Sequence, residues 1–352
     1  MPKGQDYSTL TILNQLMNKD VVGLFHNKIH KVVKKGKKDH WYLKEVDSKK
    51  IAVEILAQEL LRLLIPNQPK YRPVTRDNKM TSYSISKEVK GYRSLGDIDE
   101  TWLKNKIESG YYHGLGEVVA AALWVDESDL KLDNMCRDSE HQILKIDGDG
   151  CFDHLMWPDY HVHTVTANDI DNLPCPPKYM INPLTGETYK GEFNWLNGIS
   201  LDEGIKKSAM VRSEINRTLL KIIAIPDETI KSFVNQYLNG SESSKPFIDE
   251  IIKRRNMLED AAKGSALFCQ YVLTDAARND YDQFILRLRT FKTMGRDKLE
   301  VPHDGLFANV KYHELVKYVA EKNLKEIRDM MLEASLSNLN VGSPLSSNRY
   351  NI

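Results

Sequence analysis

The sequence predicts an α+β fold in two lobes, with a small β-rich N-terminal lobe and a large, mostly helical C-terminal lobe. Short apolar runs separated by polar turns fill residues 20–92, and this pattern is typical of strands. Apolar residues at helical spacing dominate residues 93–335. The chain has 352 residues, of which 41% are hydrophobic, so it can build a sizeable core and is not disordered as a whole.

The N-terminal lobe is predicted to run strand, strand, helix, strand, strand, after a short amphipathic helix at residues 1–19. The first two strands are predicted for "VVGLFHNKIHKVV" and "HWYLKEV", which flank the Gly-containing turn "KKGKKD". A polar start, a wide apolar arc and a closing proline predict a helix for "DSKKIAVEILAQELLRLLIP". The last two strands are predicted for "YRPVTRDNKMTSYSISKEV".

The C-terminal lobe is predicted to begin with helices, followed by a short strand. Helices are predicted for "DETWLKNKI" and "YHGLGEVVAAALWV", and the strand for "HQILKI". From about residue 201 the pattern is helical almost throughout, and these helices either complete the lobe or form an appended module. The polar tail, residues 336–352, is predicted to be disordered.

Composition argues against several classes of function. Lys plus Arg and Asp plus Glu both number 49, so the net charge of zero predicts no nucleic-acid partner. The four cysteines show no C-x-x-C spacing, which indicates reduced thiols rather than a disulfide framework or a zinc site. The N-terminus lacks an apolar signal segment, and no apolar run is long enough to span a membrane. We therefore expect a soluble, intracellular protein.

Three side chains with oxygen atoms surround the predicted strand in "SDLKLDNMCRDSEHQILKIDGDG". Asn134 follows Asp129 by five positions, and Asp147 comes directly after the apolar strand, with Asp149 as its alternative. Carboxylate and amide oxygens are the ligands that Mg²⁺ and Mn²⁺ prefer. Asp and Asn are also common turn residues. The pattern therefore allows a metal site, a set of ordinary turns, or a centre for phosphoryl transfer.

This stretch resembles the catalytic loop and the metal-binding turn of protein kinases. The resemblance implies that Asp129 is the catalytic base or orients the acceptor hydroxyl, and that Lys131 steadies the transferred phosphate. It also implies that Asn134 and Asp147 hold Mg²⁺ or Mn²⁺ on the phosphates of ATP. The spacing suits this chemistry, because phosphoryl transfer depends mainly on positioning and on neutralising charge.

An upstream strand and helix supply the remaining parts of such a site. Lys44, at the end of "HWYLK", resembles the strand lysine that binds the α- and β-phosphates and needs a carboxylate partner on the next helix. Glu54 and Glu59 are both candidates for that partner. They lie about 140° apart, on opposite borders of the polar stripe, so helical geometry leaves the choice open. The resemblance to related sequences favours Glu54.

Several departures separate the chain from ordinary protein kinases. It has no G-x-G-x-x-G between residues 20 and 40, "ESD" stands in place of His-Arg-Asp, and no Ala-Pro-Glu follows. It resembles instead the divergent HipA-like and phosphoinositide-kinase-like group and, more closely, kinase-like effectors of Legionella. The stretches "YLKE", "SKEVKGYRSL", "ESDLKLDN" and "KIDGDG" carry this resemblance, which covers about residues 20–275. That group contains phosphoinositide kinases and a protein kinase activated by inositol hexakisphosphate.

The acceptor is predicted to be a protein hydroxyl rather than a lipid headgroup. Phosphoinositide kinases commonly bind the headgroup with basic residues after the metal-binding acid, whereas here no Lys or Arg occurs between Asp147 and Lys178. A loop without positive charge would not hold a polyanionic headgroup. We therefore expect an atypical Ser/Thr protein kinase, with a phosphoinositide kinase as the alternative. The missing glycine-rich loop keeps a third class open, a pseudokinase or nucleotidyl transferase.

Basic residues concentrate in the first predicted hairpin. They are Lys28, Lys31, Lys34, Lys35, Lys37 and Lys38. Such a cluster is either a solvated hairpin tip or a site for a polyanion, such as an inositol polyphosphate or an anionic phosphoinositide membrane surface. The resemblance implies inositol hexakisphosphate as the activator and a bacterial effector in a host cytoplasm. Its protein substrate is not identified by the sequence.

Overall fold

The computed structural model of the chain describes residues 5–16, 29–47, 49–76, 79–157, 160–190, 195–196, 203–238, 240, 242–293, 299 and 305–340. Among these residues, long strands concentrate in the first part of the chain and helices in the rest. The predicted α+β fold class, with a small β-rich N-terminal lobe and a large, mostly helical C-terminal lobe, is therefore confirmed.

Within the described residues, the N-terminal lobe is a six-stranded sheet with one helix. Its strands are β1 (Gln5–Asp6), β2 (Leu10–Leu16), β3 (Ile29–Lys34), β4 (His40–Glu45), β5 (Tyr71–Arg76) and β6 (Lys79–Lys87), and its helix is α1 (Ile51–Leu64). The strand order is β1-β5-β6-β4-β3-β2, and each pair of neighbours is antiparallel except β1 with β5. The strand β4 therefore lies inside the sheet, between β3 and β6.

Apolar side chains that point to one face of the sheet form a small core. The buried residues of this core are Val32, Trp41, Leu43, Val74 and Ile85. Because successive side chains of a strand point to opposite faces, Lys44 points away from this core. The helix α1 packs on the side toward which Lys44 points, since the first turn of α1 carries the contact of Lys44 with Glu54.

The C-terminal lobe combines two three-stranded sheets with helices in the described part of the chain. Its strands are β7 (Arg93–Ser94), β8 (Met135–Arg137), β9 (Ile143–Lys145), β10 (Val162–His163), β11 (Tyr179–Ile181) and β12 (Thr188–Lys190). Its helices are α2 (Glu100–Glu108), α3 (Leu115–Trp124), α4 (Asp153–Met156), α5 (Ala167–Asn172), α6 (Glu203–Lys207), α7 (Ala209–Ile223), α8 (Asp227–Leu238), α9 (Lys245–Gly264), α10 (Ala266–Val272), α11 (Asp275–Thr290) and α12 (Gly305–Asn340). In this described part, no helix has both the length and the apolar character needed to cross a membrane.

One buried core joins α1 to the C-terminal lobe. The helix α3 is buried along its whole length and packs against α7 and α9. The close approach of α7 requires Gly116, where a Cβ atom would lie 2.4 Å from the carbonyl oxygen of Val211. Apolar residues of α1 belong to the same buried cluster as those of α3. The helix that follows the lysine strand is therefore anchored in the C-terminal lobe.

The predicted helix at residues 1–19 is wrong for the described part of that range. Gln5–Asp6 pairs in parallel with β5, and Leu10–Leu16 forms an antiparallel ladder with β3. The two edges of the sheet offer backbone hydrogen-bond partners, and the Thr and Ile residues of "STLTIL" favour strands. Pairing with the sheet therefore overrides a weak helical periodicity. Residues 1–4 and 17–19 lie outside the described residues.

The predicted start of the disordered tail, residue 336, lies too early in the chain. The helix α12 continues to Asn340, so residues 336–340 are helical. The sequence explains the difference, because Leu332, Leu336 and Leu339 continue the helical spacing of apolar residues. Residues 341–352 lie outside the described residues.

Candidate active site

Lys44 lies at the centre of the candidate site. It occupies β4, whose backbone is paired on both sides, with β3 and with β6. Its Nζ lies 2.8 Å from Oδ1 of Asp147, 3.4 Å from Oε1 of Glu54 and 3.7 Å from Oδ2 of Asp149. Acids from two distant segments of the chain therefore converge on one lysine, whose side chain is 13% exposed.

The helix α1 presents Glu54, and not Glu59, to Lys44. Glu54 lies in the first turn of α1 and is buried. The carboxylate of Glu59 instead accepts hydrogen bonds from Arg62 at 2.6 Å and from the hydroxyl of Tyr237 at 2.7 Å. Tyr237 lies on α8. That helix therefore binds Glu59, the other glutamate that helical geometry allows as the partner of Lys44.

The β8–β9 hairpin brings Asn134 close to Asp147. Met135 pairs with Lys145 across the hairpin. The backbone amide of Ile146 then donates to the carbonyl oxygen of Asn134 at 3.0 Å, directly before Asp147. Strand pairing therefore brings these two candidate metal ligands together, although they are 13 positions apart in the chain.

The loop from Asp129 to Asn134 is held by its own side chains. Nδ2 of Asn134 donates to the backbone oxygen of Asp129 at 2.9 Å and to its Oδ2 at 3.0 Å. Nζ of Lys131 donates to the same Oδ2 at 2.7 Å. The side chains of Asp129 and Lys131 are 28% and 42% exposed, so both remain accessible to a substrate.

Burial and Lys44 together set the charges in the site. Burial opposes the charged form of Lys44, but the neighbouring carboxylates, Asp147 foremost, outweigh it and hold the pKa of Lys44 well above its ordinary value. Burial also disfavours the charged form of Asp147, yet Lys44 and Lys145 lower the pKa of Asp147 to about 2. Burial raises the pKa of Glu54 to about 7, against the opposing effect of Lys44. An ion pair of Lys44 and Asp147 thus lies beside a glutamate that titrates near neutral pH.

The oxygen atoms available in the site fit a hard divalent cation. Because Asn134 uses its amide nitrogen to bind Asp129, its Oδ1 is the atom that can bind a cation. Among the described residues, no group of three or more His, Cys, Asp or Glu side chains forms a metal site by itself. Mg²⁺ commonly takes one or two protein carboxylates and completes its shell with water and phosphate oxygens. Asn134 with Asp147 fits that pattern, and Asp149 lies in the same cluster as a further candidate.

Close packing requires both glycines of "DGDG". A Cβ atom at Gly148 would lie 2.8 Å from Nε2 of Gln58 on α1. A Cβ atom at Gly150 would lie 2.5 Å from Oε1 of Glu127. The turn after Asp147 therefore fits between α1 and the loop that carries Asp129 only where both positions lack a side chain.

Two buried charged residues beside the site are not identified by the sequence analysis. Glu127 and Lys145 are 0% and 1% exposed, and their charged groups lie 3.0 Å apart. Glu127 belongs to "ESD", where it stands in place of a histidine, and Lys145 interrupts the apolar strand "ILKI". A lysine inside a buried strand needs a partner, and this is the signal that could have identified the pair.

The six lysines of the first predicted hairpin do not share one environment. Lys31 pairs with Glu88 at 2.6 Å, and Lys34 lies over the ring of Trp41 at 3.8 Å. The lysines around the turn at Gly36 are exposed; they are Lys35, Lys37 and Lys38. Lys28 lies outside the described residues. The exposed lysines have the character of a solvated turn, whereas Lys34 is partly buried.

Comparison with known proteins shows a distant likeness to a solved kinase structure. No protein-family model and no curated protein sequence matches this chain. Among solved structures, the chain is similar to the crystal structure of a proinflammatory kinase of Helicobacter pylori, CtkA. The two share 16% sequence identity with a TM-score of 0.43, over 74% of this chain and 97% of the other.

Proposed function

We propose that this protein is an atypical Ser/Thr protein kinase that transfers the γ-phosphate of ATP to a protein hydroxyl. One observation carries the proposal: Lys44 contacts Glu54 on the next helix and Asp147, which follows 103 positions later in the chain. Protein kinases use the same three parts, a strand lysine, a helix glutamate and an acid that binds the metal. Asp129 and Asn134 lie on one loop before the β8–β9 hairpin, and protein kinases use a loop with the same Asp-to-Asn spacing for the acceptor hydroxyl and the second metal ligand.

Each side chain has a role in the proposed transfer. Lys44, held by Glu54, binds the α- and β-phosphates, and Asn134 and Asp147 hold Mg²⁺ or Mn²⁺, which neutralises charge on the phosphates. Asp129 accepts the proton of the acceptor hydroxyl. The hydroxyl oxygen forms a bond to the γ-phosphorus while the bond from that phosphorus to the β,γ-bridging oxygen breaks, and ADP leaves.

Two features favour a protein acceptor over a phosphoinositide. The segment after the metal-binding acid contains no Lys or Arg before Lys178, so it offers no positive charge to a phosphorylated headgroup. Lys131 lies beside Asp129, with its Nζ 2.7 Å from Oδ2, where it can steady the phosphate as it reaches a serine or threonine hydroxyl.

Labelled ATP tests this proposal. A generic protein substrate and phosphoinositide vesicles are offered side by side to the wild type and to Asp129→Ala, with Mn²⁺ and with ATP labelled at either the α- or the γ-phosphate. We expect γ-label on protein, and a decrease of roughly 10²- to 10⁴-fold in Asp129→Ala because the proton acceptor is lost. Label on lipid alone would instead identify a phosphoinositide kinase. Label from the α-phosphate would identify a nucleotidyl transferase.

We further propose that an inositol polyphosphate regulates the enzyme at basic residues near Lys34. Burial, and then the charge of Arg72, lower the pKa of Lys34. Burial, followed by Arg72 and Arg62, lowers the pKa of Lys70 to about 8. Positive charges crowded in this way favour a polyanion, which relieves their repulsion. Inositol hexakisphosphate should raise the transfer rate of the wild type but not that of Lys34→Ala; a wild-type rate that ignores the compound would refute this regulation.

A further inference from the structure

A buried ion pair lies between the two loops of the proposed active site. Oε2 of Glu127 lies 3.0 Å from Nζ of Lys145, and neither residue is more than 1% exposed. Glu127 precedes Asp129 by two positions, and Lys145 precedes Asp147 by two positions. The pair thus adjoins both acids on which the proposed transfer depends.

Each partner also binds the backbone of the acid that follows it. Oε1 of Glu127 accepts a hydrogen bond from the backbone amide of Asp129 at 2.9 Å. Nζ of Lys145 donates to the backbone carbonyl oxygen of Asp147. The pair therefore completes a continuous series of polar contacts from the backbone of one acid to the backbone of the other.

Further contacts leave the carboxylate of Glu127 little room to move. The thiol of Cys151 donates to its Oε2 at 3.1 Å, and the indole of Trp195 donates to its backbone oxygen at 3.0 Å. Gly150 packs against Oε1 so closely that any side chain there would collide with it. The position of Glu127 is therefore determined from several directions.

Stability alone is a weak explanation for such a pair. Removing two charges from water offsets most of their attraction, and apolar residues of similar size often stabilise a fold equally well. An apolar pair in the place of Glu127 and Lys145 would, however, make neither of the two bonds to the functional loops. The charged pair connects the two loops through hydrogen bonds, and an apolar pair would not connect them.

We propose that Glu127 and Lys145 form a positioning pair that sets the separation between Asp129 and Asp147. Both residues act through the two acids, because their polar atoms are used in contacts within the protein. The consequence for phosphate transfer rests on the proposed kinase function. The consequence for the structure of the two loops does not.

Variants of the pair separate positioning from stability. The double variant Glu127→Met/Lys145→Met removes both bonds to the loops and leaves no unpaired charge, so its thermal unfolding midpoint should lie closer to that of the wild type than the midpoint of Lys145→Met does. Glu127→Asp keeps both charges of the pair but shortens the side chain, and it tests whether the reach of this carboxylate to the amide of Asp129 and to Lys145 matters. The matched control is Glu117→Met/Lys221→Met, which removes a second buried pair, 3.5 Å apart, between α3 and α7; Glu117 also binds Arg217 at 3.1 Å.

Hydrogen exchange reports the positioning directly. In Glu127→Met/Lys145→Met we expect faster amide exchange in both loops, residues 127–134 and 145–151, and no such change in the control. We expect its rate of γ-phosphate transfer at saturating ATP to fall by roughly 10²-fold, because a displacement of about 1 Å at a reacting centre costs this much. Glu127→Asp should shift both measurements in the same direction.

The two measurements distinguish the possible failures. Exchange that is unchanged in both loops, in the double variant and in Glu127→Asp, would overturn the positioning role whatever the transfer rates are. A double variant that regains both the stability and the transfer rate of the wild type would overturn it as well. A wild-type protein that transfers no phosphate would refute the kinase function, and exchange would still decide whether the pair positions the loops.

Discussion

One ammonium group, that of Lys44, lies within 3.7 Å of three carboxylates, those of Asp147, Glu54 and Asp149. Its pKa stays well above the ordinary value although burial opposes the charge, because the carboxylates of Asp147 and Glu54 lie within 3.4 Å of it. Burial raises the pKa of Glu54 to about 7. One of its oxygens, Oε2, is buried and has no hydrogen bond within the described residues. The charge of this cluster therefore depends on Lys44, with Lys145 as a second cation beside Asp147, and the strands on both sides of β4 hold Lys44 in place.

A second buried glutamate links folding to pH. Glu214 of α7 accepts hydrogen bonds from the backbone amides of Gly114 and Gly116 at the start of α3, and burial raises its pKa from 4.5 to about 7. The folded state thus binds this proton more tightly than the unfolded chain does. The resulting stability is complete below pH 4.5 and is lost as the pH rises through about 7.

Replacing Glu214 by glutamine tests this link. Because glutamine does not ionise, Glu214→Gln should gain stability relative to the wild type as the pH rises from 5 to 8. The gain should be about 2–3 kcal/mol, since each unit of pKa shift corresponds to about 1.4 kcal/mol. Urea unfolding of both proteins at the two pH values measures the effect. A difference in unfolding free energy that is the same at both pH values would contradict it.

The residues of the candidate site differ in how far the sequence predicts them. Spacing places Asn134 before the predicted strand and Asp147 directly after it, and the pairing of β8 with β9 then brings the two residues together. Spacing is not enough to choose between Glu54 and Glu59. Both are buried, and the choice depends on Tyr237, which binds Glu59 from 178 positions away.

At the scale of elements, α1 is fixed by helices that come late in the chain. The hydroxyl of Tyr237 on α8 binds Glu59 in the middle of α1. The guanidinium of Arg287 on α11 donates to the backbone oxygens of Arg62 and Ile65, at 2.6 and 3.0 Å, where α1 ends. These carbonyl groups have no partner within the helix itself, so Arg287 satisfies them. The late helices therefore hold the helix that carries the partner of Lys44.

Tyr237→Phe tests whether this contact matters for activity. We expect a loss of about 1–2 kcal/mol in the free energy of unfolding, because a bond to a buried carboxylate is removed, and a several-fold lower rate of phosphate transfer. Tyr271→Phe is the matched control, since its hydroxyl binds Asp280 at 2.6 Å without contacting α1. Urea unfolding and the transfer assay give the two quantities. Equal transfer rates for both variants would show that the contact of Tyr237 only stabilises the fold.

The elements that the sequence predicts incorrectly are those that depend on distant partners. The segment 5–16 has too few apolar residues at helical spacing to form a stable helix alone, and the edges of a sheet lie within its reach. The helix α1 is predictable because its apolar arc, its start and its closing proline all agree. Local signals therefore suffice where they are consistent, and pairing decides where they are weak.

At the scale of the whole molecule, the candidate site lies where strand, helix and loops from both lobes meet. The strand β4 supplies Lys44, α1 supplies Glu54, and the β8–β9 hairpin with the loop before it supplies Asn134, Asp147 and Asp129. The helix α1 shares its buried core with the C-terminal lobe, so the site is held together by packing as well as by charge. A division into a β-rich part and a helical part is visible in the sequence, whereas the shared core is not, because it depends on contacts across the lobes.

The rate of γ-phosphate transfer from ATP to protein, compared between the wild type and Asp147→Asn, tests the proposed kinase most directly. The wild type should transfer phosphate. Asp147→Asn, which keeps the shape of the side chain but not its charge, should be slower by roughly 10³-fold. The matched control is Asp97→Asn, an exposed acid outside both loops of the site, which should keep the wild-type rate. Equal rates in the wild type and Asp147→Asn, or no transfer by the wild type, would contradict the assignment of this site as the centre of a kinase.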